Sequence, residues 1–288
     1  MKLARYSYQG ITRLGKVEAD HIIDLTALVA PHVLLDVAAL LAPATLAAAA
    51  EVQATAENSL ALDQVRLLAP ILRPGKFLCL GMNYKDHEAE ARRLGVPIPA
   101  SQVWFSKQIS CINGPFDDVH DPIACERLDY EAELGVVIGK GGRRISEADA
   151  LNHVAGYFVA NDVSARDWQA KSPTWTLGKS FDTHGPIGPW IVTAEEIPDP
   201  QNLAIRLSVN GEVRQDSNTR LMNYSIAQQI AYLSEVMTLE PGDILITGTP
   251  AGVGIAMEPQ RFLKAGDVVR VSIEGIGHLQ NTIVDEPR

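Results

Sequence analysis

Apolar and polar positions alternate most sharply between residues 128 and 138. Leu128, Tyr130, Ala132, Leu134, Val136 and Ile138 fill the even positions, and Asp129, Glu131 and Glu133 fill the first odd ones. Successive side chains of a strand point to opposite faces, so this segment is predicted to be a strand with three carboxylates along one face, ~7 Å apart. Its last residues, Val136-Val137-Ile138, are apolar on both faces and run into an interior. Ionised carboxylates at that spacing repel unless a cation lies among them. A solvated acidic face is the ordinary alternative for charges on a strand. The interior continuation favours a metal site.

The rest of the chain is arranged around this strand. Leu3 to Tyr8 and Ile22 to Leu25 are predicted strands, and Pro43 divides the Ala- and Leu-rich stretch from Leu34 to Ala56 into two helical pieces. Residues 1 to 70 form a small N-terminal unit without catalytic residue types, and Leu68 to Gly75 is a linker. From there, residues 71–288 form the main domain. Phe77 to Leu80 is a strand, followed by a polar helix that Asn83 or Asp86 caps and Gly95, Pro97 and Pro99 terminate. That helix has little apolar surface to hold it down. Val103 to Phe105, Asp117 to Val119, Tyr157 to Val163, Pro189 to Thr193 and Ile244 to Thr247 are further strands. Asn210-Gly211 joins Leu203 to Val209 and Val213 to Gln215 in a hairpin. Leu263 to Ile273 and His278 to Val284 form a final meander, and Ala148 to His153 and Ile226 to Met237 are helices. The fold class is β-rich α+β.

Composition narrows the function. The chain has 288 residues and is 46% hydrophobic, enough for a sizeable core. A formal net charge of -10 argues against nucleic acid and against an anionic membrane surface as partners. Three cysteines without metal-ligand spacing point to a reducing compartment. The N-terminus lacks a signal-peptide pattern, and the apolar run from Val37 to Ala50 falls short of the ~20 residues a span needs. A cytoplasmic protein is expected.

The candidate chemistry begins with Glu131, Glu133 and a third carboxylate, Asp162, at the end of another apolar strand. An all-oxygen set favours a hard cation, Mg²⁺, Mn²⁺ or Ca²⁺, and three protein ligands leave positions open for substrate. Asp129 is read as a solvated strand end, and His120 and His184 as loop histidines. His87 and Glu90 share a helix face, where a carboxylate orients an imidazole and raises its basicity. Arg166 and Gln169 follow Asp162, Lys179 lies in a Gly-rich turn, and Gly248-Thr249-Pro250 is a small-residue turn after a strand. Gly252-Val253-Gly254 lacks the spacing of a nucleotide loop.

Five segments in order resemble the fumarylacetoacetate hydrolase family. They are Gly81-Met82-Asn83-Tyr84 with His87 and Glu90; Tyr130 to Gly139; Asn161 to Asp167; Gly178-Lys179-Ser180-Phe181; and Gly248-Thr249-Pro250. Residues 1 to about 70 resemble the N-terminal extension of its longer bacterial members. The resemblance implies a mixed β-sandwich roll, a homodimer, and Mg²⁺ or Mn²⁺ on Glu131, Glu133 and Asp162. It makes His87 and Glu90 a water-activating dyad on a lid that orders when ligand binds, and it puts Arg166, Gln169, Lys179 and Thr249 around the substrate. The chain departs from the fumarylacetoacetases proper, which carry a further metal-binding Asp where this sequence has Leu80-Gly81-Met82.

The implied activity is hydrolysis of a carbon–carbon bond in a 2,4-dioxo acid of the acylpyruvate type. In that reading His87 and Glu90 activate water, Lys179 offsets the charge of the tetrahedral intermediate, and a metal-stabilised pyruvate enolate leaves. An oxaloacetate decarboxylase or a 2-hydroxyhepta-2,4-diene-1,7-dioate-type isomerase would use the same enolate. A non-catalytic module braced by a cation is the reading from a different class. Against it stand the dyad, Lys179 and the open coordination positions.

Overall fold

A computed structural model describes residues 1–31, 34–93 and 95–287. Its backbone is a twelve-stranded open sheet with a five-stranded sheet packed on it. The path of the large sheet runs Ser59–Ala61, His21–Asp24, Ile11–Glu18, Lys2–Tyr8, Gly185–Thr193, Val154–Asn161, Ala132–Ile138, Ile244–Ile246, Phe77–Gly81 and Val103–Ser106. Arg66–Leu68 and Ile112–Asn113 pair off this path. Most pairs are antiparallel, but Ile244–Ile246 runs parallel to Phe77–Gly81, so the sheet is mixed. The small sheet orders Glu212–Asn218, Ala204–Val209, Val268–Ile273, Gly277–Asp285 and Val119–Asp121. This is the mixed, strand-rich α+β architecture that the sequence predicts, with few helices and no closed barrel.

The strand Ala132–Ile138 lies in the middle of the large sheet, between Val154–Asn161 and Ile244–Ile246. Every residue in it is buried. Leu134, Val136 and Ile138 pack into a core shared with Ile205, Leu207, Val271 and Leu279 of the small sheet. Val137 faces the other way, into a core with Leu3, Leu14, Val37 and Leu40 of the N-terminal residues. Two covered faces explain why this segment is apolar on both sides beyond residue 135. The strand is shorter than predicted. Tyr130 and Glu131 break it, and Leu128–Asp129 pairs separately with Ser164–Ala165.

The N-terminal residues extend the large sheet. Lys2 and Leu3 pair with Val192 and Ile191, so one sheet runs across residue 70. The predicted linker is packed: Ile71 is buried, and the Asp36 carboxylate accepts from the Leu72 and Arg73 amides. The strand Ile11–Glu18 has no counterpart in the sequence reading. The predicted helix after Ala148 is a short 3-10 turn, Ala150–His153. Pro43 opens the helix Pro43–Glu51, and Asn210 and Gly211 take the left-handed conformations that a tight hairpin needs.

Candidate active site

Strand register assembles the site. Ala132 pairs with Asn161, and the Asp162 amide donates to the Glu131 carbonyl, which brings Asp162 beside Glu131 and Glu133. Antiparallel and parallel pairing then put the ends of Ile244–Ile246 and Phe77–Gly81 on the same rim. From the first comes the Gly248-Thr249 turn; from the second, the helix Lys85–Arg93. Glu131, Glu133 and Asp162 are buried, with ligand oxygens all within 4.8 Å of one another.

Cations surround this trio unevenly. Lys179 Nζ lies 2.7 Å from both Glu131 Oε2 and Asp162 Oδ2. Lys107 Nζ lies 2.6 Å from Asp162 Oδ1. Arg166 donates through Nε to Asp129 at 2.9 Å and lies 2.7 Å from Glu131 Oε1 through Nη1, with Gln169 Oε1 at 3.0 Å. Burial opposes charge on Glu131, but Lys179 and Arg166 outweigh it and hold its carboxyl down to about 2. Burial likewise opposes charge on Lys107, and Asp162 reverses the effect and keeps the ammonium firmly protonated. Glu133 is the exception. It accepts from the Gly248 amide at 2.7 Å and has no ion-pair partner among the described residues. Burial, then Asp162 and Glu131, push its carboxyl well above the usual carboxylate range.

That imbalance tests whether a metal fits. Four buried carboxylates, Asp129, Glu131, Glu133 and Asp162, face three buried cations, Lys107, Arg166 and Lys179. The carboxyl without a cation, Glu133, is one of three converging oxygen ligands, and together they are the donor set of a hard divalent cation. Glu131, Glu133 and Asp162 are the residues that could hold one.

The dyad forms as the helix spacing predicts. His87 Nδ1 lies 2.8 Å from Glu90 Oε2. An ionised carboxylate there accepts the Nδ1 proton, which leaves Nε2 with a free lone pair. Glu90 Oε1 also accepts from the Gly252 amide at 3.1 Å, so Glu90 ties the helix to the turn opposite. His87, Glu90, Glu131, Glu133, Arg166, Gln169, Lys179 and Thr249 all line one cavity of about 250 Å³.

Several residues were missed or misread, among them His120, expected in a loop and found in the strand Val119–Asp121. Asp129 is not a solvated strand end: it is fully buried, paired with Arg166, and accepts from the Tyr130, Gly254 and Ile255 amides. It thereby anchors the loop that forms part of the cavity wall. Lys107 was not singled out, because a lone Lys after a strand carries no local signature. Gln215 bridges the Ala132 amide to Thr249 Oγ1 and the Pro250 carbonyl from the small sheet. His184 is buried, its Nε2 3.0 Å from the His120 carbonyl.

The chain is similar to known proteins. Residues 76–284 match the family model described as "Fumarylacetoacetate (FAA) hydrolase C-terminal", and residues 1–70 match "Rv2993c-like, N-terminal". The mitochondrial oxaloacetate tautomerase fahd2 of Xenopus laevis is 49% identical over 230 residues, 79% of this chain and 71% of that protein. The solved fumarylacetoacetate hydrolase of the psychrophile Exiguobacterium antarcticum is 40% identical, with a TM-score of 0.85 over 99% of this chain and all of that one. The maleylpyruvate hydrolase of Sphingobium sp. SYK-6, solved with manganese(II) and pyruvate, is 33% identical, with a TM-score of 0.81 over the whole of both chains. With the family model covering the main body and these structures matching end to end, the chain belongs to the fumarylacetoacetate hydrolase family.

Proposed function

We propose that this protein is a divalent-metal-dependent hydrolase of 2,4-dioxo acids of the acylpyruvate type, using Mg²⁺ or Mn²⁺. One observation carries the reading: an imidazole held through Nδ1 by Glu90 opens onto the same small cavity as Glu131 and Glu133, whose carboxylates converge with that of Asp162 behind the wall. Glu131, Glu133 and Asp162 would hold the cation, which would supply Lewis acidity toward a bound 2-oxo acid. The chain's own residues supply the rest. His87 Nε2 takes a proton from water while Glu90, on Nδ1, stabilises the imidazolium that results. The hydroxide adds to the distal carbonyl. Lys179 lies beside the cavity to offset the developing negative charge, and Gln169 and Thr249 orient the substrate. The bond between the distal carbonyl carbon and its neighbour breaks, leaving its electron pair on the neighbour. A proton returned from the imidazolium completes pyruvate and a carboxylic acid.

The test is release of pyruvate and partner acid from acetylpyruvate with Mn²⁺ or Mg²⁺. We expect loss of turnover on EDTA treatment and a fall of at least ~10²-fold in kcat for His87→Ala, with Mn²⁺ affinity retained. Loss of Mn²⁺ binding in folded His87→Ala would overturn the separation of roles.

A second reading is favoured by the 49% identity to an oxaloacetate tautomerase. There His87 would move a proton between carbon and solvent, with no water added. Decay of the oxaloacetate enol without bond cleavage, together with inert acylpyruvates, would establish that reading instead. Pyruvate and carbon dioxide from oxaloacetate, unaffected by His87→Ala, would indicate decarboxylation.

A further inference from the structure

We infer that the far end of the cavity selects an uncharged, apolar acyl group, so that the substrate is a monocarboxylic rather than a dicarboxylic 2-oxo acid. The inference rests on the reading above, in which the 2-oxo acid end seats at the acidic trio. Arg166 and Lys179 are the only Lys or Arg among the described residues that line the cavity. Both are engaged at the trio, Lys179 by Glu131 and Asp162, and Arg166 by Asp129 and Glu131. His87 is engaged by Glu90. Apart from Glu90, Glu131, Glu133, Gln169 and Thr249, the remaining wall is apolar. Met82, Val96, Pro97 and Pro99 flank the lid helix in sequence, and Val103 and Trp175 join them. Trp175 packs edge-on against Phe105 at 5.5 Å between ring centroids, which fixes that part of the wall.

The lid helix carries cations, but they do not serve the cavity. Lys85, Arg92 and Arg93 are exposed, and Arg92 is paired with Glu88. A second substrate carboxylate would therefore lose water against Val, Pro and Trp side chains without an uncommitted cation to pair with, while an alkyl tail would be stabilised there. Glu90 is the carboxylate that the helix Lys85–Arg93 presents to the cavity, and it would repel a second one.

The test compares two ligands of equal length that lack a hydrolysable 4-carbonyl, 2-oxohexanoate and 2-oxoadipate. Binding to the full chain is measured by calorimetry and thermal shift with Mn²⁺. We expect 2-oxohexanoate to bind at least ~10-fold more tightly, as a site without a partner rejects a charged group. Val96 is 46% exposed and accepts a longer side chain. Val96→Lys is expected to narrow the gap by favouring the diacid. Equal or tighter binding of 2-oxoadipate to the native protein overturns the inference and leaves the 2-oxo acid reading intact. An unchanged gap in folded Val96→Lys overturns this wall as the selector. If neither ligand binds, the reading beneath the inference fails, and the inference with it.

Discussion

At the scale of single residues, the site is a problem in charge compensation. Lys107 has no solvent contact and spends its charge on Asp162, 55 positions away. Removing one partner of a buried ion pair leaves the other uncompensated, at a cost of ~3–5 kcal/mol. Lys107→Met is therefore expected to lower stability by about that much in urea melts with EDTA, more than a cavity-neutral swap elsewhere. A loss below ~1 kcal/mol would show that Lys179 alone suffices for Asp162. The acidic residues themselves were legible because strand alternation exposes three carboxylates in a row. Their cations were only partly so. Arg166 and Lys179 stand in recognisable segments, whereas Lys107 and Gln215 acquire meaning only when strands distant in sequence are paired. Asp129 was misjudged because a strand end is usually wet, and here a returning loop, Gly254-Ile255, closes over it.

At the scale of elements, the helix Lys85–Arg93 shows how a polar segment is held without an apolar face. Only Glu90 and Ala91 are buried in it. Three carboxylates fasten it instead: Asp86 to Ser217 at 2.9 Å, Glu88 to Asn223 at 3.1 Å and Glu90 to the Gly252 amide. The sequence reading recognised that burial could not hold this helix; it could not see the latches, which come from the small sheet, the segment after it and the loop beyond Ile244–Ile246. Each such bond contributes ~0.5–1.5 kcal/mol. Ser217→Ala combined with Asn223→Ala is expected to weaken docking by ~1–3 kcal/mol and to lower kcat/KM ~10-fold or more. Mn²⁺ affinity should not change, and amide exchange across Lys85–Arg93 should quicken. Unaltered kcat/KM would mean that the Glu90 contact suffices. The strand Ile11–Glu18 escaped sequence reading for a related reason: Thr12, Arg13, Gly15 and Lys16 blur its alternation, and only its pairing with Lys2–Tyr8 and His21–Asp24 makes it a strand.

At the scale of the whole molecule, the N-terminal residues carry none of the proposed chemistry and yet cover the back of the sheet that positions it. Leu3, Leu14, Leu25, Val37, Leu40 and Leu41 share a core with Phe77, Cys79, Val137, Ile244 and Ile246. Burying six such side chains contributes ~1.5–3 kcal/mol each, a total comparable with the ~5–15 kcal/mol net stability of a typical protein. Without residues 1–70, the strand Gly185–Thr193 also loses Lys2–Tyr8 as a neighbour and is exposed as an edge at Ile191 and Val192, while Gly185 and Pro186 keep Ile112–Asn113. We propose that the boundary near residue 70 separates two sequence modules that fold as one body. The fragment 71–288, expressed alone, is then expected to lack a cooperative thermal transition and to aggregate. Adding back residues 1–70 as a separate chain should restore both solubility and Mn²⁺ binding, because the missing surface is supplied through main-chain pairing and packing without a covalent join. A fragment that melts cooperatively and binds Mn²⁺ as the full chain does would show that the sheet beneath the acidic trio needs no cover on that face.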